Sequence, residues 1–388
     1  MVRAIKTYDP RPAHIGAARS DTGVSVAERD VTRIKRVTKP KGTTPKLDVA
    51  KFSQALHDKI GLGSMGYAWQ MRRRGVITVS GNWGYSRNPA DGGQGWTSDT
   101  RMHIASVSKL ITAMATVHVL RAHGIAYDDP VSPYLPEYWV RGTTTDKITF
   151  RQLLTHMSGL RAPGSDTDYG TMMTAFSKPV WSTIGKTAYE NTNFGLSRIL
   201  IPIITGQLDP SDTFGTSTNV VWDLGTTSRF LAYCQQHVFS PSGVGPIGFA
   251  PGASDALAYR FPSSSKGWDS KDLRSVSGGS GFRMTVNEVL DVMGSFRRAG
   301  TIVSPVQAQE CLDGWLGIDQ RTTTSVGRLY NKNGRWDGRD GMGPWQTEQC
   351  VAFFLPEDME LVVFVNSQIG PNRSLRKLVT DAYVANIV

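Results

Sequence analysis

The chain has 388 residues, 39% hydrophobic and 20% charged, which suits a globular protein with one large core or two domains and excludes a disordered one. Its net charge is +10, yet residues 1–50 hold 11 Lys/Arg against 5 Asp/Glu and the rest hold 32 against 28, so the excess lies in an N-terminal arm. No apolar run nears the roughly 20 residues that span a bilayer, the N-terminus lacks the apolar core of a secretory signal, and Cys234, Cys311 and Cys350 show no metal-ligand spacing.

A soluble, cytoplasmic protein follows as the expectation, with no membrane partner, no metal, no cofactor and no disulfide framework. The sequence leaves open whether one cysteine pair bridges, and it does not indicate an oligomeric state. Residues 1–45, with Arg33, Lys35, Arg36, Lys39 and Lys41 at their densest, read as a solvated basic arm rather than a nucleic-acid grip.

The ordered pattern begins with a helix over 48–62, where Phe52, Ala55, Leu56 and Ile60 recur at helical spacing. Residues 66–72 and 76–83 read as two strands joined by a turn at Arg73-Arg74-Gly75. From about Ser106 to Gly124 the spacing of Val107, Leu110, Ile111, Met114 and Val117 predicts an amphipathic helix with one buried stripe, and glycine supplies its stop. A short helix capped by Thr149 follows in 148–160, then helical patterns among long polar loops to about 275, and a helix over 284–299 ending at Gly300. Strands return at 328–332, 349–355 and 361–365, and a helix over 375–387 closes the chain. The fold class is α/β (α+β): one antiparallel sheet built from both ends of the chain, 46–105 plus 285–388, with a mainly helical subdomain, 106–284, inserted between them.

Ser106 and Lys109 are three residues apart at a helix entrance, so the amine can take the hydroxyl proton while free N–H groups favour an oxyanion. The same Ser-x-x-Lys spacing recurs at Ser263–Lys266 and Ser374–Lys377, so partners must decide. Tyr189-Glu-Asn191 is the sole Tyr-x-Asn run; its phenol beside an ammonium suits proton shuttling, and Asn191 can hold Lys109 and face a substrate amide. Lys332-Asn333-Gly334 follows a strand and offers a cation for a substrate carboxylate and a glycine for close backbone approach.

The ordered set Ser-x-x-Lys, Tyr-x-Asn and Lys-x-Gly resembles the β-lactamase and penicillin-binding-protein family, in the branch of class C β-lactamases, D-Ala-D-Ala carboxypeptidases, D-aminopeptidases and esterases. Trp96–Lys109, Ile148–Leu160 and Ser277–Thr285 resemble characteristic segments of that family, and the resemblance spans about residues 50–388. It implies the β-lactamase-like fold, with Ser106 as acylated nucleophile, Lys109 as base, Tyr189 as shuttle and Asn191 orienting the substrate. The oxyanion hole would be the N–H groups of Ser106 and Arg335, and His156 would be structural. Two departures stand out: Asn333 replaces the usual hydroxyl residue, and Arg335-Trp336 onward replaces a small-residue turn, pointing to a reshaped, aromatic pocket. The expectation is a serine hydrolase acting on a small ester or amide through an acyl-enzyme. β-Lactamase or D,D-carboxypeptidase activity is the alternative within the class, and a non-catalytic scaffold tethered by the basic arm the alternative outside it. Lack of a signal sequence argues against a periplasmic peptidoglycan enzyme.

Overall fold

The computed structural model describes residues 32–33, 45–164, 167–370 and 374–388. An eight-stranded sheet forms its centre: β1 (Thr32–Arg33), β2 (Gly66–Arg73), β3 (Val76–Arg87), β4 (Gln94–Gly95), then, after a separate short strand β5 (Met102–His103) paired with β6 (Arg283–Met284), β7 (Gln320–Thr324), β8 (Gly327–Gly338), β9 (Gln346–Leu355) and β10 (Met359–Val365). The spatial order is β1-β7-β8-β9-β10-β2-β3-β4, antiparallel throughout except for β1 on β7. Beyond that two-residue pairing, the basic arm expected over 1–45 lies almost wholly outside the described residues.

Both faces of the sheet are covered, and strand alternation assigns each residue to one of them. Val351, Phe353, Leu361, Val363, Tyr67 and Trp69 pack against α1 (Val49–Ile60) and, at the other end of the chain, Val379 and Tyr383 of the closing helix Leu375–Ala385. Cys350, Ala352, Phe354, Val362, Phe364 and Ala68 face the opposite way, into a larger core with the helices of the middle of the chain. These include α2 (Ser108–Ala122), α3 (Phe150–Leu154), α4 (Tyr169–Phe176), α5 (Thr192–Gly195), α6 (Ser197–Ile204), α7 (Thr218–Cys234), α8 (Val286–Gly294) and α9 (Pro305–Asp313); the closing helix is α10.

Several local features follow the chemistry read from the sequence. Asp48 accepts the Lys51 N–H at the start of α1, Thr149 and Gln152 form a reciprocal capping box on α3, and Gly124 takes φ +67° after α2. Three expectations are corrected. The central helix does not begin at Ser106: Ala105–Val107 is a 3₁₀ turn and the α-helix starts at Ser108. Nor has it a single buried stripe, since Ser108–Val117 is buried on every side; Thr112 and Thr116 satisfy their hydroxyls on the Gly278 carbonyl and Ser197. The strand read as 328–332 runs on to Gly338, so Lys332–Gly338 is held extended by pairing with β9. All three cysteines are buried free thiols, and among the described residues no helix is long and apolar enough to cross a membrane.

Candidate active site

The 3₁₀ turn that carries Ser106 begins with Ala105 at φ +46°, an unfavourable conformation for alanine that aims Ser106 off the end of α2. Lys109, one turn further, is completely buried, and its Nζ reaches three oxygens: Ser106 Oγ at 3.1 Å, Asn191 Oδ1 at 2.8 Å and the Gly279 carbonyl at 2.6 Å. Burial, reinforced by the Lys332 ammonium, holds the Lys109 amine well below the ordinary lysine range. A neutral amine has two hydrogens and one lone pair. The Asn191 and Gly279 oxygens only accept, so they take the hydrogens and leave the lone pair directed at the Ser106 hydroxyl.

Tyr189 approaches from the other side, its hydroxyl donating to Ser106 Oγ at 2.7 Å. It lies on the loop before α5, as the sequence indicated, and is held by its ring. His156, at φ +57°, stacks on it with centroids 4.3 Å apart, and the His156 carbonyl accepts the Ala188 N–H at 2.8 Å. Lys109 Nζ and Lys332 Nζ lie 5.0 and 5.3 Å from the ring centroid, so both amines stand close to the Tyr189 ring.

The third motif stands on β8 where it parts from β7. Pairing with β7 covers Gly327–Asn331 only, whereas pairing with β9 continues to Gly338. Residues 332–338 therefore present one open edge. Asn333 N–H points along that edge, donating to Asp319 Oδ2 at 3.0 Å, and two residues on the Arg335 N–H has the same sense. Gly334 runs against the Ser106 turn: a Cβ there would meet Ile104 O at 2.7 Å and Ser106 N at 2.8 Å. Gly334 thus sets the β8 backbone, one residue before Arg335, close beside Ser106 N.

Two residues expected at the substrate sit elsewhere. Asn333 alternates onto the face shared with Val351, the side of α1 and α10, because Lys332 and Gly334 occupy the Ser106 face. Trp336 faces Ser106's side but is buried among Ala105, Trp268 and Leu273, edge-on to His103 at 5.0 Å, a support under the turn rather than a pocket wall. Conversely, Asp319 was not singled out, although its Oδ1 accepts from Lys332 Nζ at 2.6 Å and both side chains are buried. An acid ending the apolar run Trp315-Leu-Gly-Ile318 was the available signal, since such a charge needs a buried partner. Behind the site His103 Nδ1 and Glu348 Oε2 lie 3.0 Å apart, and burial pushes the Glu348 carboxyl up to about 8.

Among the described residues no group of three or more His, Cys, Asp or Glu side chains could hold a metal ion. A cavity of about 600 Å³ bounded by Thr155, Met157, Thr187 and Trp315 is not lined by Ser106, Lys109 or Tyr189, so volume alone does not mark the chemistry.

The family model described as Beta-lactamase matches residues 52–384. Esterase EstB of Burkholderia gladioli is 33% identical over 113 residues, 29% of this chain but only 28% of that protein's own length. The octameric penicillin-binding protein homologue from Pyrococcus abyssi superposes with a TM-score of 0.65 at 15% identity, covering 87% of this chain and 76% of that one. A D-stereospecific amidohydrolase from Streptomyces sp. gives 0.61 at 21% identity, covering 87% and 98%. Sheet, central helix and matched span agree: the chain belongs to the β-lactamase family of serine hydrolases.

Proposed function

We propose that the protein cleaves a small ester or amide through an acyl-enzyme on Ser106. The observation that carries this is Ser106 Oγ lying between Lys109 Nζ at 3.1 Å and the Tyr189 hydroxyl at 2.7 Å, with the other Lys109 contacts restricted to acceptors. Lys109 takes the Ser106 proton as Oγ attacks the carbonyl carbon, and the resulting oxyanion lies against the Ser106 and Arg335 N–H groups. The proton passes by way of Tyr189 to the leaving oxygen or nitrogen as its bond to carbon breaks. Water then enters where the leaving group stood, surrenders a proton along the same relay to Ser106 Oγ, and the carboxylic acid departs. Asn191 both anchors Lys109 and carries a donor for the substrate carbonyl or amide.

Intact-mass spectrometry tests the proposal, using a fluorophosphonate, a p-nitrophenyl ester and a penicillin on the native protein and on Ser106→Ala. One adduct per chain that vanishes in Ser106→Ala supports it, and the reagent that turns over separates esterase from β-lactamase. No adduct with any reagent would overturn it.

A further inference from the structure

Lys332 is placed to read a substrate carboxylate, but it already has one. Asp319 takes its ammonium at 2.6 Å through Oδ1, takes the Asn333 N–H at 3.0 Å through Oδ2, and donates its own N–H to the Asn331 carbonyl at 2.9 Å. One residue thus fastens three consecutive positions of β8 at the point where β7 begins. Its approach is fixed from behind: Gly317 at φ +77° lies so close to α2 that a Cβ would meet that of Ala113 at 2.7 Å. The Lys332 and Asp319 side chains are 1% and 4% exposed. The next cation on the strand is engaged as well, Arg335 Nε lying 3.0 Å from Asp337 Oδ2.

A buried, touching ion pair has little net field a few ångströms away, and exchanging its acid for a substrate's would strand Asp319 as an unpaired buried charge. We propose that Asp319 is a positioning residue that withdraws Lys332 from the substrate, leaving a site matched to uncharged rather than carboxylate-bearing acyl groups. This rests on the acyl-enzyme reading above. Asp319 also offsets the Lys332 charge felt by Lys109, whose amine is depressed by that neighbour and raised by the acid.

The test compares p-nitrophenyl butyrate with the mono-p-nitrophenyl ester of glutaric acid in the full chain. Asp319→Asn should raise the ratio of kcat/KM for the charged over the neutral ester by about tenfold, mainly through a lower KM for the charged one. It should also move the acid limb of the neutral-ester pH profile downward, because an uncompensated Lys332 opposes protonation of Lys109. Asp319→Glu should return both towards the native values. A folded Asp319→Asn protein, checked by circular dichroism, with ratio and acid limb unchanged would overturn the proposal. If Asp319→Asn does not fold, the double variant Lys332→Met/Asp319→Leu decides: an unchanged ratio supports the proposal, and a tenfold fall overturns it. A native protein that neither labels at Ser106 nor turns over either ester would remove the acyl-enzyme reading itself; a labelled, active protein with no change of ratio would remove only the role of Asp319.

Discussion

The Gly279 carbonyl accepts from Lys109 Nζ at 2.6 Å although 170 positions separate the two residues. A backbone carbonyl cannot change its protonation or swing away, so it fixes one amine hydrogen permanently and with it the direction of the lone pair. Lys109→Arg should therefore lower kcat/KM by about 10³-fold at neutral pH, because a guanidinium stays charged. On the proposed mechanism the deprotonated amine is the active form, and burial depresses its pKa. Activity should accordingly rise with pH along an acid limb placed well below the usual lysine range, as kcat/KM measured against pH will read.

Tyr189→Phe removes the donor at 2.7 Å from Ser106 Oγ but keeps the ring that stacks on His156. We expect a loss of about 10²–10³-fold in kcat with stability changed by about 1 kcal/mol or less. The loss should be greater for an alkyl ester or anilide than for a p-nitrophenyl ester, whose leaving group needs no proton. Equal losses on both would rule out the shuttle role.

Gly334→Ala should cost both fold and activity. The new methyl would press on Ile104 O and Ser106 N at under 3 Å, with backbone on both sides and no flexible side chain to give way. About 1–3 kcal/mol of stability and about 10²-fold or more in kcat are expected, read from a denaturant midpoint and steady-state kinetics.

Glu348 makes stability depend on pH. Burial raises its carboxyl from 4.5 to about 8 in the folded chain. The unfolded chain thus ionises first, and stability that is fully present below about 4.5 is lost as pH rises toward about 8. Glu348→Gln should flatten this slope by about 1–3 kcal/mol between those limits, and melting temperatures at pH 5 and pH 8 in the two proteins will show whether it does.

The parts of the site that could be read in the sequence are those whose geometry is local. Ser106 and Lys109 are tied by one helical turn, and Tyr189 and Asn191 by a three-residue loop, so spacing carries their relation. Asp319 meets Lys332 across the mouth between two strands, a contact that no spacing rule encodes. The central helix was misjudged because Thr112 and Thr116 look like a solvent face, whereas each hydroxyl bonds another buried group. At Asn333 and Trp336 the motif gave the positions, but the sides depended on where β8 begins to alternate, which only its pairing with β9 fixes.

That alternation has a consequence for how the site could change. Along β8 the even positions Lys332 and Gly334 face Ser106 and the odd ones Asn333 and Arg335 face away. The site is thus governed by parity as much as by residue identity. Inserting a single residue between Gly327 and Asn331 with Gly327 held opposite Thr324 would exchange the two rows beyond the insertion, swinging Lys332 onto the far face and bringing Asn333 to the place where the Ser106 turn leaves room only for a glycine. Two inserted residues would restore the rows. Length variation in this strand is therefore tolerated in steps of two, or where a bulge like the register shift at Met71–Arg72 absorbs the odd residue, a constraint written into the sheet rather than into any one side chain.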